Sequence, residues 1–191
     1  LVLSWVTSFG TASIAANAVS NNIGMFAVLP GMAMGYALLT VSAQCVGAGD
    51  FEQVKYYNRK LIKITYLSLI LINVVLLLLL PFIIKLYGLS AEASDYTYKI
   101  MIYHSICVVT IWPLSFALPN TLRAAADVNY AMILSIVSMW VFRIGFSYLL
   151  GVYLKMGVFG IWVAMTIDWF FRAVCFSIRY ASGKWKHASL I

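Results

Sequence analysis

ITYLSLILINVVLLLLLPFII, residues 64–84, contains no charged side chain and is built mostly from Leu, Ile and Val. About 20 apolar residues are needed for a helix to cross the hydrocarbon core of a bilayer. Backbone groups in lipid find no water to bond, so a run this long is satisfied only as a helix. Outward from it, the pattern repeats. Candidate spans cover 1–9 (partial), 11–46, 61–84, 98–122, 131–154 and 158–180, separated by short polar turns. Residues 11–46 carry no charge. As one helix they would be roughly 50 Å long, so a kink is expected at Pro30-Gly31. Gly31-Met32-Ala33-Met34-Gly35 spaces small residues for close helix contact. Pro113 and Pro119 mark further kinks. Before the opening stretch, residues 51–63 are amphipathic and basic, with Lys55, Arg59, Lys60 and Lys63.

The composition agrees with lipid as the solvent. Hydrophobic residues make up 63% and charged ones 10%. A soluble domain runs near 45–50% and about 25%, and one core of this size could not hide the excess. The fold class is therefore all-α, a polytopic transmembrane helical bundle. The net charge of +7 lies between the apolar runs, which makes it a topology signal and not a nucleic-acid patch. The loop after Asp50, Arg123 and the tail around Lys184, Trp185 and Lys186 fall on one side. Lys85, Lys99 and Lys155 fall on the other, so the C-terminus is expected in the cytoplasm. The chain opens at Leu1 inside an apolar run with no signal peptide, which suggests part of a longer protein.

Cys45, Cys107 and Cys175 are odd in number and fit no metal spacing. No nucleophile elbow, phosphate loop or metal cluster occurs, so no enzyme and no cofactor are expected. Gly47-Ala48-Gly49-Asp50 ends a helix where a phosphate loop would begin one.

Charges inside a span are costly and mark candidate sites. Arg143, Asp168 and Arg172 are such charges. Counting about 1.5 Å per residue from the span ends puts Arg143 and Asp168 at similar depth. An interhelical Arg143–Asp168 pair is expected, with Arg172 one turn away to share it. The network either pins two helices or takes part in ion coupling. An Asp held in a permanent pair is a poor proton carrier, which favours the pin. His104 is a packed polar residue or a titrating group. Asn17, Asn21, Asn22 and Gln44 face a polar cavity or bond between helices. Tyr36, Trp112 and Phe116 pack against lipid and helices or line a cavity, since aromatic faces attract organic cations.

Several segments together resemble one family. Phe9-Gly10-Thr11-Ala12-Ser13-Ile14-Ala15-Ala16-Asn17 and Gln44-Cys45-Val46-Gly47-Ala48-Gly49-Asp50 resemble the start and end of helix eight of multidrug and toxic compound extrusion (MATE) transporters. Leu122-Arg123-Ala124-Ala125-Ala126-Asp127 resembles the family's Leu-Arg-Gly-Ala-Gly-Asp, with Ala in place of both glycines. Ser138-Met139-Trp140-Val141-Phe142-Arg143, Asp168-Trp169-Phe170-Phe171-Arg172 and Gly183-Lys184-Trp185 are similar to helices eleven and twelve of bacterial members. The resemblance implies one six-helix lobe, with helix seven incomplete, of a twelve-helix, two-lobed transporter in the bacterial inner membrane. It implies export of cationic amphipathic drugs by antiport with H+ or Na+, and as partners the substrates, the bilayer and an N-terminal lobe. Acids proposed for coupling in the family lie in helices one, seven and ten. Here Ile100–Leu122 carries none.

Other readings stand beside this one. A lipid-linked-sugar flippase of the same superfamily expects a strongly basic cavity, and only Arg143 and Arg172 are intramembrane cations. A truncated, non-transporting membrane scaffold is the alternative from a different class.

Overall fold

The computed structural model describes residues 2–187. No strand occurs among them. The helices are α1 (Val2–Ser8), α2 (Thr11–Gly47), α3 (Phe51–Leu86), α4 (Ala91–Thr110), α5 (Leu118–Ala124), α6 (Val128–Ser138) and α7 (Gly157–Ala181). A π-helical turn, Pro113–Ala117, joins α4 to α5, and a longer π-helix, Met139–Tyr153, continues α6. A 3-10 turn, Lys184–His187, follows α7. Four of these units are long and apolar enough to cross a membrane, and α4 with α5 forms a fifth if the bent pair is one span.

The turns follow from local chemistry. Asp50 caps α3, its carboxylate accepting from the Gln53 N–H at 3.0 Å. The Ser90 hydroxyl accepts from the Ala93 N–H at 3.2 Å at the start of α4. At the end of α5 the Asp127 N–H reaches back to the Leu122 carbonyl at 3.0 Å. That closure places Ala126 at φ 64°, a left-handed position that favours glycine.

α2 is the hub, packing on α3, α4, α5 and the Pro113–Ala117 turn. It is helical without a break across Pro30. Gly31 and Gly35 serve close helix contact. A Cβ on Gly31 would lie 2.5 Å from Cζ3 of Trp112, and one on Gly35 would lie 2.8 Å from Nδ2 of Asn120. The bend falls at Ile111-Trp112, where α4 and the segment after Pro113 diverge by 59°. Pro113 has no N–H to donate to a helical ladder, and the Ser115 N–H bonds back to the Ile111 carbonyl at 3.2 Å. The run at 64–84 belongs to one longer helix that begins at Phe51, so the basic segment and the span are continuous.

Candidate functional site

Asp168 of α7 is buried, with 1% of its surface exposed. Arg172, one turn on, donates from Nε to Asp168 Oδ1 at 2.9 Å. The Ser138 hydroxyl of α6 donates to the same oxygen. Arg172 also donates to Ser138 Oγ at 3.3 Å and to the Ser135 carbonyl at 3.2 Å. Its guanidinium lies 5.9 Å from the Phe116 ring centre. The pair therefore ties α7 to α6 and touches the bent segment after α4.

Arg143 is not in this network. Ion pairs among the described residues join Lys55–Glu52, Lys99–Asp95, Arg172–Asp168 and Arg179–Asp127. The expected Arg143–Asp168 pair is thus corrected: Asp168 meets Ser138 and Arg172 instead. The stretch holding Arg143 is π-helical over Met139–Tyr153, so α-helical counting does not set which of its side chains face α7. Phe142 takes the place against α7, its ring centre 4.6 Å from that of Phe171.

Arg143 instead lines a cavity of about 230 Å³ with Asn17, Asn21, Ser147 and Trp162. Trp162 Nε1 donates to Asn17 Oδ1 at 3.1 Å, and Asn21 Nδ2 donates to the Asn17 carbonyl at 2.8 Å. A second cavity, about 310 Å³, brings together Tyr36, Trp112, Phe116, Asn120 and Arg123. Trp112 and Phe116 stack with ring centres 5.1 Å apart. Phe116 meets Trp169 edge-on at 5.6 Å, and Arg123 donates to Asn120 Oδ1 at 3.0 Å. The bend after α4 turns these rings toward α2, where Gly31 leaves room for the indole.

His104 lines neither cavity. It is buried edge-on against Trp162 (5.2 Å) and Trp169 (5.6 Å), facing Gly24. Gln44 lies at the far end of α2, in a groove with Asp50, Gln53 and Tyr57. It stands about 40 Å along the helix from Asn17. Asn22 is exposed and lines neither cavity. Sequence reasoning did not single out Ser135, Ser138, Asn120 or Trp162 as partners. Ser138 opens a stretch that resembles helix eleven, but no spacing rule ties it to an acid thirty residues on. It also missed the latch of Asp127 and Arg179, bidentate at 2.7 and 3.0 Å, with the guanidinium 4.7 Å from the Tyr130 ring centre. Among the described residues no three His, Cys, Asp or Glu side chains group to hold a metal. Cys45, Cys107 and Cys175 are free thiols.

Long apolar helices around an intramembrane ion pair, with polar and aromatic cavities at their irregular segments, define an integral membrane lobe of the transporter kind. Residues 1–149 match the MatE family model, and the chain belongs to that family. It is 27% identical over 167 residues to the probable multidrug resistance protein YoeA of Bacillus subtilis, covering 85% of this chain and 35% of the relative. Among solved structures it is similar to the eukaryotic MATE transporter AtDTX14, with a TM-score of 0.80 at 20% identity over 92% of this chain and 39% of that one. An outward-facing multidrug resistance MATE transporter of the MOP superfamily gives 0.80 at 19% identity, over 96% and 43%. The chain spans 35–40% of the length of the first curated relatives it matches.

Proposed function

We propose that this chain forms one lobe of a secondary transporter that exports cationic amphipathic compounds by antiport with H+ or Na+. The transporter works by alternating access between this lobe and an N-terminal partner lobe, in a bacterial inner membrane with the C-terminus inside. The observation that carries the reading is the cavity of Tyr36, Trp112 and Phe116 at the bend between α4 and α5. The exposed Tyr36 offers its ring face to an organic cation, the Trp112–Phe116 stack forms the apolar wall, and Asn120 supplies a polar contact beside them. The Asp168–Arg172 pair is assigned to pinning α6 against α7, because Asp168 Oδ1 accepts from both Arg172 and Ser138 and Arg172 also reaches the Ser135 carbonyl, while Asp168 Oδ2 is buried without a partner. Coupling is then left to groups elsewhere in the full-length transporter.

Arg143 favours a second reading. It lies in a polar cavity with no carboxylate within ion-pair distance among the described residues, so an anionic substrate, as in a lipid-linked-sugar flippase, would find a cation there. Ethidium efflux from pump-deficient cells expressing the full-length protein, with proton and sodium gradients collapsed separately, tests both. Efflux that stops with one gradient supports the antiporter and names its ion. A well-inserted protein with no efflux moves the case to the flippase.

A further inference from the structure

The start of α3 carries a basic groove that the transport reading does not use. It has a volume of about 580 Å³ and is lined by Glu52, Lys55, Tyr56, Arg59, Lys60 and Lys63. Glu52 is held by Lys55 at 2.6 Å. Arg59, Lys60 and Lys63 have no carboxylate within ion-pair distance among the described residues, and the Lys60 ammonium lies 5.7 Å from the Tyr56 ring centre. Three cations within five residues repel one another unless an anion sits among them.

The same face continues into the bilayer. From Ile64 to Leu79 every exposed residue is Ile, Leu or Val: 64, 67, 70, 71, 74, 75, 78 and 79. Their spacing of three and four residues puts them directly below Tyr56, Lys60 and Lys63 on one side of the helix. α3 rises about 15 Å from Ile64 to Val74, close to half the hydrocarbon thickness and so the reach of one acyl layer. The buried residues Val54, Asn58, Thr65, Leu69 and Asn73 occupy the opposite side, packed into the lobe.

We propose that this groove binds the phosphate headgroup of an anionic phospholipid, with Arg59, Lys60 and Lys63 on the phosphate and an acyl chain along Ile64, Leu67 and Leu71. A free phosphate would use the cations but leave the strip below them unused. A zwitterionic lipid would use the strip but bring its own cation to the groove.

The test titrates purified full-length protein in neutral detergent with phosphatidylglycerol, phosphatidylcholine or glycerol 3-phosphate, read by thermal unfolding and native mass spectrometry. Phosphatidylglycerol alone raises Tm and stays bound. The R59Q/K60Q/K63Q variant keeps the lipid-free Tm and binds phosphatidylglycerol roughly 100-fold more weakly, while R59K/K60R/K63R binds as the native protein does. If the triple glutamine variant fails to fold, K60Q and K63Q alone each weaken binding roughly fivefold. Unchanged phosphatidylglycerol binding in the glutamine variants, equal stabilisation by glycerol 3-phosphate, or equal binding of phosphatidylcholine would each overturn the assignment.

Discussion

Replacing Asp168 by Asn separates a helix pin from an ion-coupling carboxylate. The substitution removes one charge of a buried pair whose side chains are 1% and 12% exposed. Breaking such a pair on one side costs about 3–5 kcal/mol, because the remaining charge stays buried without its counter-ion. Here the cost falls at the low end, about 3 kcal/mol. The amide oxygen of D168N still accepts from Ser138, and Arg172 keeps the Ser135 carbonyl at 3.2 Å and the Phe116 ring at 5.9 Å. The double variant D168N/R172Q leaves two neutral amides within reach of each other and should return to within about 1 kcal/mol of the native protein. Thermal unfolding of the purified full-length protein should therefore rank native and double variant together, with D168N clearly below. Transport assayed in parallel should follow the same order. A double variant that is as stable as the native protein but inert would refute the pin and make the carboxylate itself part of coupling.

Other consequences are equally specific. Gly31→Ala puts a methyl 2.5 Å from the stacked, buried Trp112 ring, costing about 1–3 kcal/mol, whereas Gly35→Ala meets only the end of the Asn120 side chain and should cost less. Thermal unfolding that ranks the two variants in reverse would count against the α2–Trp112 contact as drawn. Ala126→Gly relieves a left-handed alanine worth about 1–2 kcal/mol against a chain-entropy loss of about 0.5–1, so a small gain in Tm is expected. Phe116→Ala removes a ring from the aromatic cavity and should weaken ethidium binding roughly tenfold with folding retained, measured by fluorescence titration. Arg179→Lys should not replace the native latch. A single ammonium cannot make both bonds to Asp127, and a loss of about 1 kcal/mol in thermal unfolding is expected.

Much of the membrane architecture was legible because lipid imposes it. An uncharged stretch such as 64–84 has only the helix available to it. Tyr36, Trp112 and Phe116 were identifiable as aromatics in spans. Their convergence depended on the 59° bend and on the bare surface of Gly31, and neither follows from counting. Asp127 and Arg179 read as two loop-end charges, because nothing local announces a partner fifty-two residues away.

The misplaced pair is the more instructive case. The expectation for Arg143 and Asp168 assumed one rise per residue along both helices, and α7 obeys it. The stretch from Met139 to Tyr153 is π-helical, and there Phe142 packs on Phe171 while Ser138 meets the acid. That arrangement leaves Asp168 engaged by Arg172 and Ser138, and Arg143 lines the polar cavity with Asn17 and Asn21. The aromatic cavity likewise borders the π-helical turn after α4. Irregular backbone survives at membrane depth only where protein or a cavity satisfies it, and π-helical insertions collect at functional sites. The polar cavity with Arg143 and the aromatic cavity with Trp112 thus each border a segment where ideal helix counting breaks down.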